Sequence, residues 1–235
     1  MRQRTGIDVR VLILATTVFL CALGAAAAQN LKPVSQSELC VTEGSITQLP
    51  KNQLQVSDPA MRAYLNVLTP QIEEARFTYG GPTQDEKALG SGTVRRQFGL
   101  KLHAGDACNL VYVMWRIDPD KKIVVSVKSN PGQHTSAECG NRGYTNIKPT
   151  RSAPTPLVNA AETHTLEAEM NGANLQVIAD GTLVWQGSVG AEAAALPGPV
   201  GIRSDNAALQ FELLVPQTAG AAVEPAPVCR KGAGD

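Results

Sequence analysis

Glu167 and Glu169 stand two residues apart in the alternating run Thr165-Leu166-Glu167-Ala168-Glu169-Met170. At that spacing both carboxylates share one face of a β-strand. Paired carboxyl groups about 5–5.5 Å apart are what a retaining cleavage of a glycosidic bond requires. A solvated strand face has the same pattern, and no further acid follows at Asn171. The other acid, base and nucleophile types do not converge either. His103, His134 and His164 are far apart and none has metal-ligand spacing. The chain carries no Ser/His/Asp or Cys/His arrangement, no phosphate loop and no nucleotide fingerprint. No catalytic residue and no metal ligand is assigned from the sequence.

A second constellation is built for binding rather than turnover. If the segments 94–103, 108–117 and 123–128 form a meander, one face combines Gln97, Lys101 and His103 with Tyr112, Met114 and Arg116, and with Ser126 and Lys128. The loop that follows adds Asn130, His134, Asn141, Arg142 and Tyr144 at its rim. The candidate ligand-binding set is Lys101, Tyr112, Arg116, Lys128, Asn130, Arg142 and Tyr144. Lysine and arginine only donate hydrogen bonds, which suits an anionic or strongly hydroxylated ligand. The face depends on register, because a slip of one residue turns every side chain to the other side. An ordinary solvated face is the bland alternative. Trp115 lies in the most apolar segment and reads as core, whereas Trp185 reads as half-buried.

The positioning elements are strands. Leu166, Ala168 and Met170 alternate with polar residues up to Asn171-Gly172; Ala173, Leu175, Val177 and Ala179 alternate up to Asp180-Gly181; Leu183-Val184-Trp185 follows. Period two marks half-buried strands, and Asn-Gly and Asp-Gly supply the positive φ of tight hairpins. Glu74–Tyr79 is a further strand with Ala75, Phe77 and Tyr79 on one face, and Leu209, Phe211 and Leu213 close the sheet. Ser57-Asp58-Pro59 followed by Met61, Tyr64, Leu65 and Leu68 reads as one short helix ended by Pro70. Residues 29–56 read as an irregular lead-in with one or two short strands. Residues 129–163 form a long loop, rich in Ser, Asn, Pro and Gly, in which Tyr144–Ile147 reads as a short strand.

Residues 1–28 read as a secretory signal peptide: Arg2, Arg4 and Arg10, then the apolar Val11–Leu23, then Ala26-Ala27-Ala28. The apolar run is shorter than the ~20 residues of a membrane span. Leu20 before Cys21 argues against lipidation. Residues 29–235 carry 18 basic and 20 acidic side chains, a net charge of −2, which gives no basic footprint for nucleic acid. Residues 29–215 read as a single domain and 216–235 as a Pro/Ala-rich tail tethered by Cys229. Cys40, Cys108, Cys139 and Cys229 are an even count in an exported chain, which suggests disulfides. Three pairings are open. The favoured one joins Cys40 to Cys229 at the two ends and Cys108 to Cys139 between neighbouring strands or loops, with free buried thiols as the alternative.

The C-terminal order of features resembles the concanavalin A-like lectin and glucanase superfamily, including laminin G-like domains. The residues that carry it are His164–Glu169, Asn171-Gly172, Leu175–Gly181, Gly201-Ile202-Arg203-Ser204 and Leu209–Glu212, about 50 residues of the chain. The resemblance implies an all-β fold, a two-sheet antiparallel jelly-roll sandwich. Glucanases of that superfamily use Glu-x-Asp-x-Glu on one strand; the run from Glu167 lacks the aspartate and the third acid. The superfamily often binds calcium through loop carboxylates, for which Asp106, Asp118 and Asp120 are the turn candidates here; no other cofactor is implied. The leading expectation is an exported, periplasmic or extracellular, non-catalytic domain that binds a glycan or cell-envelope component on a concave sheet face. The alternatives are an atypical glycoside hydrolase working through Glu167 and Glu169, or a structural, adhesive protein that contacts a protein partner through residues 129–150. Fold alone does not decide among them.

Overall fold

A computed structural model of the chain describes residues 30–217 and Cys229. The expected signal peptide and most of the expected tail lie outside the described residues. In chain order the strands are β1 (Leu31–Pro33), β2 (Leu39–Glu43), β3 (Thr47–Gln48), β4 (Leu54–Val56), β5 (Ala60–Leu65), β6 (Ile72–Pro82), β7 (Arg96–Leu102), β8 (Leu110–Asp118), β9 (Lys122–Lys128), β10 (Tyr144–Ile147), β11 (Arg151–Ser152), β12 (Thr163–Asn171), β13 (Asn174–Ala179), β14 (Thr182–Ser188), β15 (Gly201–Asp205) and β16 (Ala207–Pro216). Two four-residue helices, α1 (Ser136–Cys139) and α2 (Ala191–Ala194), interrupt the loops.

The strands form two antiparallel sheets. One runs β11-β14-β13-β12-β6-β16-β4-β3, with β1 also paired to β16; the other runs β10-β9-β8-β7-β15-β5-β2. This is the expected jelly-roll sandwich. The alternation in each strand explains the layering: Phe77 on β6 and Phe211 on β16 point inward from the first sheet, and Phe98 on β7 and Trp115 on β8 meet them from the second. Ring centroids are 5.1 Å apart for Phe77–Phe98, 5.6 Å for Phe77–Trp115 and 5.5 Å for Phe98–Phe211. Such tilted and edge-on contacts add to the burial of large apolar faces. Trp115 is core, as expected. Trp185 is buried too rather than half-buried, because it points with its cross-strand partner Val177 into the core.

The C-terminal meander has the expected strands. Asp180 and Gly181 both take positive φ, 49° and 74°, between Ala179 and Thr182, as a tight right-twisting hairpin demands. The first turn sits one residue later than Asn-Gly suggests: Asn171 pairs with Asn174 and Gly172, at φ 54°, is the first central residue.

The expected helix from Ser57 is a strand. Met61, Ala63 and Leu65 point into the core, while Tyr64 packs on the outer face with Cys40. β5 is held on both sides by β2 and β15. A short apolar run fits both periods, and two neighbouring strands decided in favour of the sheet.

Both expected disulfides are formed. Cys40–Cys229 spans 189 residues of sequence and Cys108–Cys139 spans 31. Among the described residues no helix is long and apolar enough to cross a membrane.

Candidate functional site

The outer face of the seven-stranded sheet has the register that the sequence face requires. Gln97 lies opposite Arg116, Gly99 opposite Met114 and Lys101 opposite Tyr112. Tyr112 in turn faces Ser126, and Asn146 faces Ser126 from the other side. On β15, Arg203 lies opposite Gly99 and Asp205 opposite Gln97. Period two therefore puts Gln97, Tyr112, Met114, Arg116, Ser126, Asn146 and Arg203 on one surface.

This surface is the floor of a cleft of about 330 Å³, walled by Leu89, Gly90, Ser91 and Arg95 on one side and by Asn141 and Tyr144 on the other. The volume lies within the usual range for small-ligand sites. The rims nearly meet: a Cβ at Gly90 would collide with the Asn141 amide. At the opposite end, Arg116, Val124 and Asn146 also line a second cleft of about 380 Å³ that reaches Lys148 and Trp185.

Asn206 positions the first rim. It is fully buried at φ 52°. Its Oδ1 accepts from the Lys87 N–H at 2.8 Å, and its Nδ2 donates to the carbonyls of Lys87 (2.8 Å) and Arg95 (2.9 Å). Asparagine tolerates the left-handed conformation better than most residues. One side chain thus staples both ends of the segment 87–95 to the β15–β16 turn.

The second rim is held from below. The Cys108–Cys139 bond ties the loop to the start of β8. Asp106 accepts from the N–H groups of Cys108 and Asn109 and lies 2.8 Å from His134 Nδ1. Asn130 donates to the carbonyls of Cys108 and Arg142, both at 3.1 Å. Arg142 donates through Nε to the Cys139 carbonyl and through its other end to the Glu138 carbonyl. Tyr144–Ile147 is the expected strand and brings Tyr144 and Asn146 to the cleft.

The candidate residues therefore divide. Tyr112, Arg116 and Tyr144 line the cleft. Lys101 and Lys128 lie on the expected face but are 2% and 1% exposed. Lys128 donates to the Ala107 carbonyl at 2.7 Å, and its ammonium stands 5.1 Å from the Tyr144 ring centroid. Burial holds its pKa below the usual lysine value, against the pull of Tyr144. Asn130 and Arg142 build the loop instead of facing the cleft. His103, at φ 53°, leaves the strand face, and burial lowers its pKa. Once the sheet is covered by its own loops, most of the expected basic stripe supports the scaffold.

The sequence reading missed Arg95, Arg203, Asn146 and Asn206. Arg203 and Asp205 alternate with Ile202 and Ser204, a period-two signal that would have placed Arg203 on the outer face. Asp205 is 1% exposed and accepts from Gln97 (2.6 Å), Arg62 (2.6 Å) and Arg203 (2.9 Å). Burial alone would raise its pKa; the Arg203 and Arg62 charges outweigh it and hold the carboxyl well below the usual carboxylate range. Burial would likewise lower the Arg203 pKa, and the Asp205 charge raises it instead. Two polar atoms of the floor, Tyr112 Oη and Arg116 Nε, are buried with no hydrogen-bond partner. Buried polar atoms are ordinarily satisfied, so these two mark where a polar ligand group would complete the surface.

Glu167 and Glu169 lie on the other sheet, away from the cleft, where Glu167 pairs across strands with Glu74. Burial raises the Glu167 pKa, and the charges of Glu74 and Glu169 add to it. The calcium candidates are dispersed: Asp106 serves its turn, Asp118 contacts Arg96, and Asp120 contacts Arg116 and Lys122. Among the described residues no group of three or more His, Cys, Asp or Glu could hold a metal ion.

No protein-family profile and no curated protein matches the sequence. Among solved structures, the chain is similar to the carbohydrate binding module CBM66 from Bacillus subtilis, with 15% identity over 74% of this chain and 91% of that one, at a TM-score of 0.51. It is also similar to the Emp46p carbohydrate recognition domain (13% identity, 75% and 88% covered, TM-score 0.47) and to the galectin LEC-6 from Caenorhabditis elegans (10% identity, 78% and 99% covered, TM-score 0.39). The likeness to the first of these shows the fold, a two-sheet jelly roll.

Proposed function

We propose that this chain is an exported, non-catalytic glycan-binding domain, and that the cleft over β7, β8, β9 and β15 is where it holds the sugar. The observation that carries the reading is the cleft floor, where Tyr112 Oη and Arg116 Nε are buried without partners. Saccharide hydroxyls both donate and accept, so one sugar ring could satisfy both atoms. Tyr144, 40% exposed at the rim, offers an aromatic edge for the apolar side of a pyranose. Gln97, Ser126, Asn141 and Asn146 supply further polar groups around the same space. The likeness in fold to a module named as carbohydrate-binding supports the reading. Two disulfides support export to an oxidising compartment.

The test is affinity electrophoresis of residues 29–235 through gels that contain single polysaccharides. Retardation by at least one polymer, lost in Tyr112→Phe/Tyr144→Ala, is expected. Migration unaltered by every polymer, with the protein folded and oxidised, would sink the proposal. Incubation with the retarding polymer should release no reducing ends; their release would make the domain an enzyme.

A further inference from the structure

The ionic character of the cleft is one-sided. Its lining includes three guanidinium groups, Arg95, Arg116 and Arg203, and no carboxylate. Arg203 is neutralised from behind by Asp205, which Arg62 also uses. Arg95 and Arg116 are not compensated in that way. Arg95 makes no ion pair among the described residues, whereas Arg116 reaches only the half-exposed Asp120, at 3.5 Å through Nη1, with Nε left buried and unpartnered. Arg116 feels the neighbouring charge: burial first, then the Arg95 charge, lowers its pKa. Like charges held together at a partly desolvated site repel unless an anion joins them.

We propose that the ligand is an acidic glycan, a uronate- or sulfate-bearing saccharide whose anionic group sits between Arg95 and Arg116 while its ring lies toward Tyr112 and Tyr144. This rests on the glycan-binding reading and narrows it. A planar guanidinium matches the two oxygens of a carboxylate or sulfate. One anion between the two arginines would relieve their repulsion and engage Arg116 Nε. A neutral sugar would leave both charges uncompensated. The neighbouring cleft continues past Arg116 to Lys148 and to Lys122, which Asp120 also contacts, so the next residue of an acidic polymer would meet the Lys148 charge.

The experiment uses matched polymers. Residues 29–235 are titrated calorimetrically with polygalacturonate, alginate and heparin, and with the carboxyl-reduced or desulfated form of each, at low and moderate salt. Binding to at least one acidic polymer is expected, about tenfold or more tighter than to its neutralised counterpart, since a hydrogen bond to a charged group contributes about 1.5–3 kcal/mol. Arg95→Gln and Arg116→Gln should each weaken the acidic ligand by about tenfold and flatten the salt dependence. Arg95→Lys should restore part of the loss, and Lys51→Gln, far from the cleft, should change nothing. Arg95 is only partly buried at a loop end, so its variants remain informative if Arg116→Gln is poorly folded. Equal binding of acidic and neutralised polymers, lost in Tyr144→Ala, would overturn the acidic assignment and leave the glycan reading standing. Acidic binding that survives both arginine changes would place the contact elsewhere and overturn the proposal. Binding of none of the polymers, acidic or neutralised, would overturn this assignment and count against the broader reading.

Discussion

The guanidinium of Arg203 lies 5.0 Å over the ring of Tyr112 and is fixed there by a 2.9 Å bond from its Nε to Asp205. A cation over an aromatic face is attractive, and here it orders the floor of the cleft. The same carboxylate receives Arg62 and Gln97, so three side chains, from β5, β7 and β15, converge on it. Asp205→Asn leaves two buried guanidinium groups short of charge. We expect about 3–5 kcal/mol of lost stability, read by urea denaturation, with weaker ligand binding in whatever fraction stays folded. The pH dependence has a definite sign. The folded-state pKa of Asp205 lies below its unfolded value, so its contribution is complete above pH about 4 and is lost as the pH falls through the folded value. The wild-type domain should therefore show a loss of stability below pH 4 that Asp205→Asn lacks.

Glu73 should behave oppositely. Its side chain is completely buried on the inner face of β6. Burial pushes its pKa well above the usual carboxylate range, while the nearby backbone of Lys101 and Gly201 and the Lys101 charge pull the other way. The folded protein retains a proton there that the unfolded chain releases above pH about 4.3. Stability from this group is present below that pH and falls as pH rises through the folded value. Glu73→Gln should remove this decline, so that the variant gains on wild type as unfolding is measured from pH 4 upward. A variant that loses ground over that range would contradict the assignment.

His134 reports on the disulfide loop. The Asp106 hydrogen bond, then the Asp106 charge, raises its pKa above the ordinary histidine value. Whatever this pair contributes is present below pH about 6.5 and lost as pH rises through the raised value. The imidazole is largely exposed, so the shift is best read on the ring itself. Its proton-resonance titration should have a midpoint above the ordinary value, moving down in Asp106→Asn.

Asn206→Gly keeps the left-handed backbone without strain while deleting the three hydrogen bonds to Lys87 and Arg95. We expect a cost of about 1.5–4 kcal/mol and weaker ligand binding, because the wall carrying Leu89–Arg95 loses its staple. Hydrogen exchange gives a local check: the Lys87 amide, which bonds Asn206 Oδ1, should lose protection before the amides of β8.

The sheets were legible where one periodicity had no rival. From Leu166 to Trp185 the alternation and the two glycine turns define the meander, and the central face was legible except at His103, with Lys101 lying against Tyr112 and Tyr112 against Ser126. Ala60–Leu65 was illegible because Met61, Tyr64 and Leu65 fit a helix while Met61, Ala63 and Leu65 fit a strand; only β2 and β15 on either side resolve it. The lining of the cleft was half legible for a related reason. Alternation tells which face a lysine occupies, but not whether a loop lies above it. Lys101 and Lys128 are on the expected face and buried, Lys128 between the Ala107 carbonyl and the Tyr144 ring. Arg95 is placed by Asn206, 111 residues away in sequence, and no local pattern encodes such a contact.

The Cys40–Cys229 bond has a mechanical consequence. It closes the chain into a ring whose members are nearly all of the sandwich. A pull applied outside that ring, on residues before Cys40 and after Cys229, runs through the sulfur bridge and leaves the strands between them unloaded. Among the described strands, β1 alone lies wholly on the pulled path, paired along Leu31–Pro33 with the end of β16. Under tension β1 should peel away like the end of a tape while the cleft keeps its shape.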